Sequence, residues 1–266
     1  MSFQILKDFN EEAEYIQGSE EDVDYNQNLK AISQLYLLEN GFSLGKEKLV
    51  EDMSKEEFVK MMEERSEDED NQLIQRFEKY NIEVNLRTLM SNIYEGKDGK
   101  NIFVFFIPTG NSKSVGINFI SMFYYLLISL DCKIGLLVSK KPLTPESMKK
   151  IHAVNVYPED DKEIYNIDYY IDQNFLPLCK HSLIPKVLKI YRYPEEVKNF
   201  MKENDDVDVS KFPRMILSDP LVKFYRGKSR DIFMLERKNI NEKNILSTQI
   251  IYRVVVNSTM NKATKK

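Results

Sequence analysis

The chain has only two cysteines and two histidines in 266 residues. Cys132 and Cys179 stand 47 positions apart and make no disulfide framework, which points to a reducing compartment. Even with His152 and His181 they lack the close ligand pairs of a structural zinc site. A nucleophilic triad needs a histidine base, and only these two exist. His152 reads as opening a strand and His181 as preceding a loop, each serving structure. Long apolar runs are missing too. The longest, Phe119–Leu130, spans 12 residues before Asp131. A membrane-spanning helix needs about 20, so this run predicts a buried helix and no membrane partner. The N-terminus turns acidic at once, which predicts no secretory leader and leaves Asn257-Ser258-Thr259 an idle sequon. No repeat of about 20–50 residues is visible.

What is present fits a folded protein: hydrophobic residues make up 42% and aromatics 11%, enough to build real cores. The charge is uneven. Residues 1–70 hold 20 acidic and 7 basic side chains, whereas residues 211–266 hold 4 acidic and 13 basic. A basic C-terminal module faces either an acidic partner surface or nucleic acid, unless it is merely a solvated surface.

Residues 1–26 read as an acidic, disordered head. Helical spacing starts at Gln27 and ends at Asn40-Gly41. Ser54 with Glu57 forms a capping box for a second helix, after which 63–70 reads as a charged loop. A helix over Gln72–Lys79 leads to Ile82–Leu86, which alternates like a strand. Glu95–Lys100 is a turn cluster. Ile102–Ile107 is apolar on both faces and belongs mid-sheet. A helix over Ile117–Leu130, a covered strand Ile134–Val138, and a helix opened by Thr144-Pro145 follow. This alternation predicts an α/β layered domain over 27–155. Residues 156–180 read as a connection with an edge strand at Ile167–Ile171. A second domain, 181–266, has a strand Val187–Tyr191, a helix Pro194–Lys202, an acidic loop 205–208, a short helix capped by Asp219-Pro220, and an antiparallel pair, Ile232–Leu235 with Ile250–Val256, across a long loop.

Few motifs carry chemistry. Gly227-Lys228-Ser229 resembles the end of a phosphate loop, but Val222 stands where the motif needs glycine. Ser147-Met148-Lys149-Lys150 fits a Ser-x-x-Lys pattern with no companion motif. Lys223-Phe224-Tyr225-Arg226-Gly227-Lys228 could stack on and clamp a single strand, yet the Asp219-Pro220 cap makes it a helix with its aromatics turned inward. A Mg²⁺-dependent nuclease is the enzymatic alternative, with Glu83 on a strand and Glu95-Gly96-Lys97 in the Glu-x-Lys spacing. The central strand Phe103–Ile107 carries no acid, so the metal site is incomplete.

Three motifs then occur in one order: Phe212-Pro213-Arg214-Met215, Asp219-Pro220-Leu221-Val222-Lys223-Phe224-Tyr225, and Ile250-Ile251-Tyr252-Arg253-Val254-Val255-Val256. They resemble the Leu-Pro-Arg-Ile, Asp-Pro-Val-Ala-Arg-Tyr-Tyr and Tyr-Ile-Thr-Tyr-Arg-Leu-Val-Val motifs of the small shared subunit of multisubunit RNA polymerases, counted fifth by size in eukaryotes and present also in archaea. Phe103-Val104-Phe105-Phe106, Leu143-Thr144-Pro145-Glu146-Ser147, His181-Ser182-Leu183-Ile184-Pro185 and Tyr193-Pro194-Glu195-Glu196 stand where that family has similar runs. Val187 replaces the family's second histidine, the glycine-rich turn is blurred into Arg226–Arg230, and the loop Lys238–Gln249 is longer. Abundant Asn, Lys, Ile and Tyr fit a divergent member from an AT-rich genome, such as a large DNA virus or a protist.

The resemblance implies a mixed α/β protein of two domains. The N-terminal one has a restriction-endonuclease-like layered fold without a nuclease site and forms part of a jaw over downstream duplex DNA. The small C-terminal one docks on the largest polymerase subunit. It implies a non-catalytic subunit, with no cofactor, no metal and no small-molecule substrate, acting in the nucleus of a cell or in the host cytoplasm or virion of a virus. Partner docking is expected of Pro213, Arg214, Asp219, Pro220, Tyr225, Tyr252 and Arg253; the alternative for each is a purely structural role, which is the favoured reading for Pro213, Asp219 and Pro220. The alternatives are a free-standing DNA-binding transcription factor and, further off, the nuclease.

Overall fold

A computed structural model describes residues 22–68, 71–96, 99–108, 113–156, 165–175, 184–205, 207–240 and 245–257. The acidic head before Asp22, Lys97, Cys179, His181 and the sequon's Ser258 and Thr259 lie outside these residues. The chain divides between Leu176 and Pro177 into two compact units, each with its own sheet. No described helix is long and apolar enough to cross a membrane.

The first unit opens with α1, Val23–Glu39, four residues earlier than its apolar spacing indicates. The Asp22 side chain accepts from the Tyr25 amide and starts it; Gly41, with φ +82°, ends it. β1 is Phe42–Ser43. α2, Lys55–Glu67, carries the Ser54/Glu57 capping box and runs into the stretch expected as loop, because its charged positions face solvent and Arg65 reaches the Ser91 carbonyl at 2.9 Å. α3 is Gln72–Lys79.

Ile82–Leu86 is not a strand. Asn85 accepts from the Thr88 amide while the Thr88 hydroxyl accepts from the Asn85 amide, and this capping box starts a one-turn helix, α4, Leu86–Leu89. The strand instead is β2, Asn92–Gly96, paired antiparallel with β3, Asn101–Phe106. α5, Ile117–Ser129, crosses to β4, Ile134–Ser139; α6, Pro145–Val156, crosses to β5, Asn166–Ile171, followed by a single turn, α7, Asp172–Phe175. The sheet order is β1-β2-β3-β4-β5, with β3, β4 and β5 parallel. β5 is an end strand, as its sequence predicts. His152 lies exposed on α6 rather than opening a strand; the helix capped by Thr144 carries past it.

Alternation along β3 explains why both faces are apolar. Phe103, Phe105 and Ile107 pack with Ile120, Phe123 and Leu127 of α5, with Phe77 of α3 and with Ile151 of α6. The intervening Ile102, Val104 and Phe106 are equally buried on the opposite face, where α1 adds Tyr36 against Tyr170 and Phe175.

The second unit has four strands in the order β6-β8-β9-β7: β6 Lys186–Tyr191, β7 Arg214–Ile216, β8 Ile232–Ile240 and β9 Ile245–Val256. α8, Glu195–Glu203, and α9, Pro220–Phe224, cover it from opposite sides. Phe233, Leu235 and Val255 meet Leu221 and Val222 of α9. Ile232 meets Val197 and Phe200 of α8, with Tyr191, Phe212 and Tyr252 around them. The expected long loop after Leu235 is largely strand: β8 and β9 pair out to Asn239 and Ser247. The whole is an α+β protein.

Candidate functional site

β7 lies at the end of the second sheet, parallel to the last three residues of β9. Its start is fixed by Pro213, whose carbonyl accepts from the Val254 amide at 3.0 Å. The next residues alternate. Met215 is buried, whereas Arg214 and Ile216 point to solvent, Ile216 being 41% exposed, and Leu217 beyond the strand is 36% exposed. The chain then turns into α9. Asp219 accepts from the Leu221 amide at 2.9 Å, Pro220 occupies the first helical position, and Leu221, Val222 and Phe224 turn inward. The helix therefore presents Pro220 and Lys223 outward beside Ile216 and Leu217 in the chain. Two apolar side chains flanked by Arg214 and Lys223 make a small basic ridge. Ile216 and Leu217 lie between the expected motifs and had no signal beyond being apolar ahead of a helix cap.

The seven expected docking residues do not share one surface. Tyr252 and Arg253 are neighbours on a strand, so they point to opposite faces of the sheet. Tyr252 stacks on Phe212, ring centroids 5.8 Å apart, and packs on Phe200 at 5.3 Å. Its ring is core. Arg253 pairs across the ladder with Phe233 on the α9 side, and its Nε is buried without a hydrogen-bond partner among the described residues. Tyr225 is half-buried, edge-on to Phe233 at 6.3 Å. Pro213, Arg214, Asp219 and Pro220 alone lie together along the β7–α9 segment.

A polar hub missed at the level of sequence holds this unit together. The buried Asp231 carboxylate accepts from Arg192 Nη1 at 2.9 Å, from the Tyr193 amide at 2.9 Å and from the Lys228 amide at 2.8 Å. Arg192 also donates to the Tyr225 carbonyl at 2.8 Å. These bonds tie the end of β6 to the turn after α9. Gly227 belongs to the same turn: a Cβ there would sit 2.9 Å from Val222 and 3.0 Å from Phe233. Close packing explains the Gly227-Lys228-Ser229 run, and the Lys228 amide that a phosphate would need is taken by Asp231.

The first unit shows no comparable ridge of expected residues. Glu83 stands ahead of α4, not on a strand, and Glu95 is exposed on β2. Among the described residues no three His, Cys, Asp or Glu side chains come together as a metal site. Charge is buried in pairs instead. Arg87 donates to both oxygens of Asp172 at 2.8 and 3.1 Å and to the Ile107 carbonyl at 3.0 Å, and Tyr25 donates to Asp172 at 2.9 Å. Lys30 lies 2.8 Å from Glu47 and donates to the Met90 carbonyl at 2.8 Å and the Tyr94 hydroxyl at 2.6 Å. Burial pushes the Lys30 ammonium down to about 8 despite Glu47; Lys30 and Tyr94 outweigh burial at Glu47 and hold its carboxyl below the usual range.

Residues 176–255 match the family described as RNA polymerase Rpb5, C-terminal domain. The second unit is similar to the C-terminal domain of Rpb5. The matched span takes in the whole described second unit up to Val255, and with it the β7–α9 ridge, the Asp231 hub and all seven expected residues. The match supports an RNA polymerase subunit. The match covers less than a third of the chain and leaves the first unit outside it. No curated protein matches the chain.

Proposed function

We propose that this chain is a non-catalytic subunit of a DNA-directed RNA polymerase, that it docks on the largest subunit through the β7–α9 ridge, and that its first unit contributes to the jaw over downstream DNA. The observation that carries the docking half is the ridge itself. Arg214, Ile216, Leu217, Pro220 and Lys223 stand outside a core that the same segment closes with Met215, Leu221 and Val222. Exposed apolar side chains rimmed by positive charge fit the buried centre and polar rim of a protein interface. The jaw half rests on the likeness of Phe103-Val104-Phe105-Phe106 and its layered sheet to the family's N-terminal domain.

The test is co-purification of tagged full-length chain carrying Arg214→Glu. Reversing a rim charge and desolvating a carboxylate against an acidic partner should cut recovery of the large subunits by about tenfold or more. Recovery equal to that of the unaltered chain sinks the ridge as the docking surface. Crosslinking from the first unit to downstream DNA in the assembled enzyme tests the jaw; crosslinks confined to protein count against it.

A further inference from the structure

Besides the outer edges of β6 and β7, the second sheet leaves part of β9 uncovered by any described strand. β9 is 12 residues long and β8 pairs with nearly all of it, but β7 pairs only with Val254–Val256. The direction of the backbone groups along β9 follows from two hydrogen bonds. The Val254 amide donates to Pro213 on the β7 side and the Val255 amide donates to Asp231 on the β8 side. In an antiparallel ladder this alternates. Thr248, Ile250 and Tyr252 therefore turn their N–H and carbonyl groups away from β8. Pro213 has no N–H and ends the β7 ladder at this point.

Free edges in soluble proteins are normally guarded by charge, proline or a bulge. This one is not. Ile245–Tyr252 reads Ile-Leu-Ser-Thr-Gln-Ile-Ile-Tyr, with no charge, proline or glycine, and the Ile250 side chain is 52% exposed. Its surroundings are basic. Across Ile232–Lys238 and Thr248–Val256 the charged residues are Arg237, Lys238, Arg253 and the single acid Glu236. Arg237 and Arg253 fall on the face shared with Ile251, and Arg253 keeps a buried Nε without a partner. Ile250 and Thr248 fall on the other face.

We propose that an extended segment of another polymerase subunit adds to this edge as a strand, alternating acidic residues on the Arg253 face with apolar residues against Ile250. Main-chain bonds to Thr248, Ile250 and Tyr252 give the affinity, and the alternation gives the selectivity. The inference rests on the docking reading above and extends the ridge into an added strand in line with β7.

Ile250→Pro tests it in the full chain recovered with its polymerase. The Ile250 amide points outward, so proline leaves the β8 ladder intact and blocks the edge. Ile250→Thr keeps the amide and trims the side chain. The expected result is loss of co-recovered subunits by about tenfold or more for Ile250→Pro, and within about twofold of normal for Ile250→Thr. Hydrogen exchange on the unaltered chain reads the same contact without a variant. The amides of Thr248, Ile250 and Tyr252 should slow on assembly, whereas Gln249, Ile251 and Arg253 are slow already in the free chain. Full recovery of Ile250→Pro, equal loss in both variants, or no slowing on assembly overturns the added strand. So does an edge that Ile250→Pro removes from self-association or from DNA binding instead. If Arg214→Glu releases the polymerase and Ile250→Pro does not, the edge proposal fails and the ridge survives. An unaltered chain that recovers no subunit sinks both.

Discussion

The two units treat polar groups in opposite ways. The first closes its charges inside: Arg87 with Asp172, and Lys30 with Glu47 and Tyr94, have side chains almost wholly out of water, and both faces of β3 are covered. The second closes its core around Asp231 yet leaves a basic ridge, an exposed Ile250 and the outward backbone groups of β9 unpaired by any described strand. Buried charge must be matched within the chain, because an unpaired ion in a low-dielectric interior is expensive. A strand edge carries no such demand, since water satisfies it until a partner does. The contrast is between a unit whose buried charges are paired within the chain and one that, on the docking proposal, keeps an edge for a neighbour.

The largest effect that would break this contrast is at Arg87. Arg87→Met leaves the Asp172 carboxylate buried beside a single tyrosine donor and should cost the first unit about 3–5 kcal/mol in denaturant unfolding. Adding Asp172→Leu should recover much of that, because a buried pair is replaceable by apolar residues. A loss below about 1 kcal/mol in the single variant means the pair is not holding the unit.

In the second unit the matching test is Phe200→Ala. Phe200 packs on Tyr191, Phe212 and Tyr252 with centroids 4.6–6.2 Å away, and its removal should cost about 3–4 kcal/mol. That loss should leave unfolding of the first unit unchanged when proteolysis follows each unit separately. Concerted loss of both breaks the description as two units.

The smallest effect sharpens the picture of the closed interior. The folded Lys30 titrates at about 8 against 10.5 in the unfolded chain, so the unfolded chain binds more protons between those values. Stability of the first unit should therefore rise from pH 8 toward pH 10, on the order of 2 kcal/mol, above which Tyr94, raised well above 10 by burial, opposes it. The rise should vanish in Lys30→Met. Equal pH profiles for the two chains would place Lys30 in water. On the acid side Glu47, held low, contributes stability above its ordinary range that is lost as pH falls through its folded value.

Local signals were legible in the chain because local chemistry decides them. The Ser54/Glu57 box, the Thr144 cap and the Asp219-Pro220 start each satisfy orphan amides within one turn. The same rule explains an error: Ile82, Val84 and Leu86 alternate like a strand, but the Asn85/Thr88 box takes the amides first. The strand Asn92–Gly96 was hidden in polar residues, since its pairing with β3 is a backbone matter. Gln249, Thr248 and Lys238 read as loop in the sequence for the same reason.

Residue types and spacing determined the alternation of helices and strands, the apolar centre at Phe103–Ile107, the C-terminal positive charge and the likeness to a polymerase subunit family. Only the tertiary structure decided that Tyr252 packs against the α8 core while Arg253 faces the other side, that Asp231 and Arg192 meet across 39 positions, and that β9 keeps an open edge. Those facts depend on which strands become neighbours, and pairing between distant segments is set by the burial of whole faces rather than by any residue's own preference.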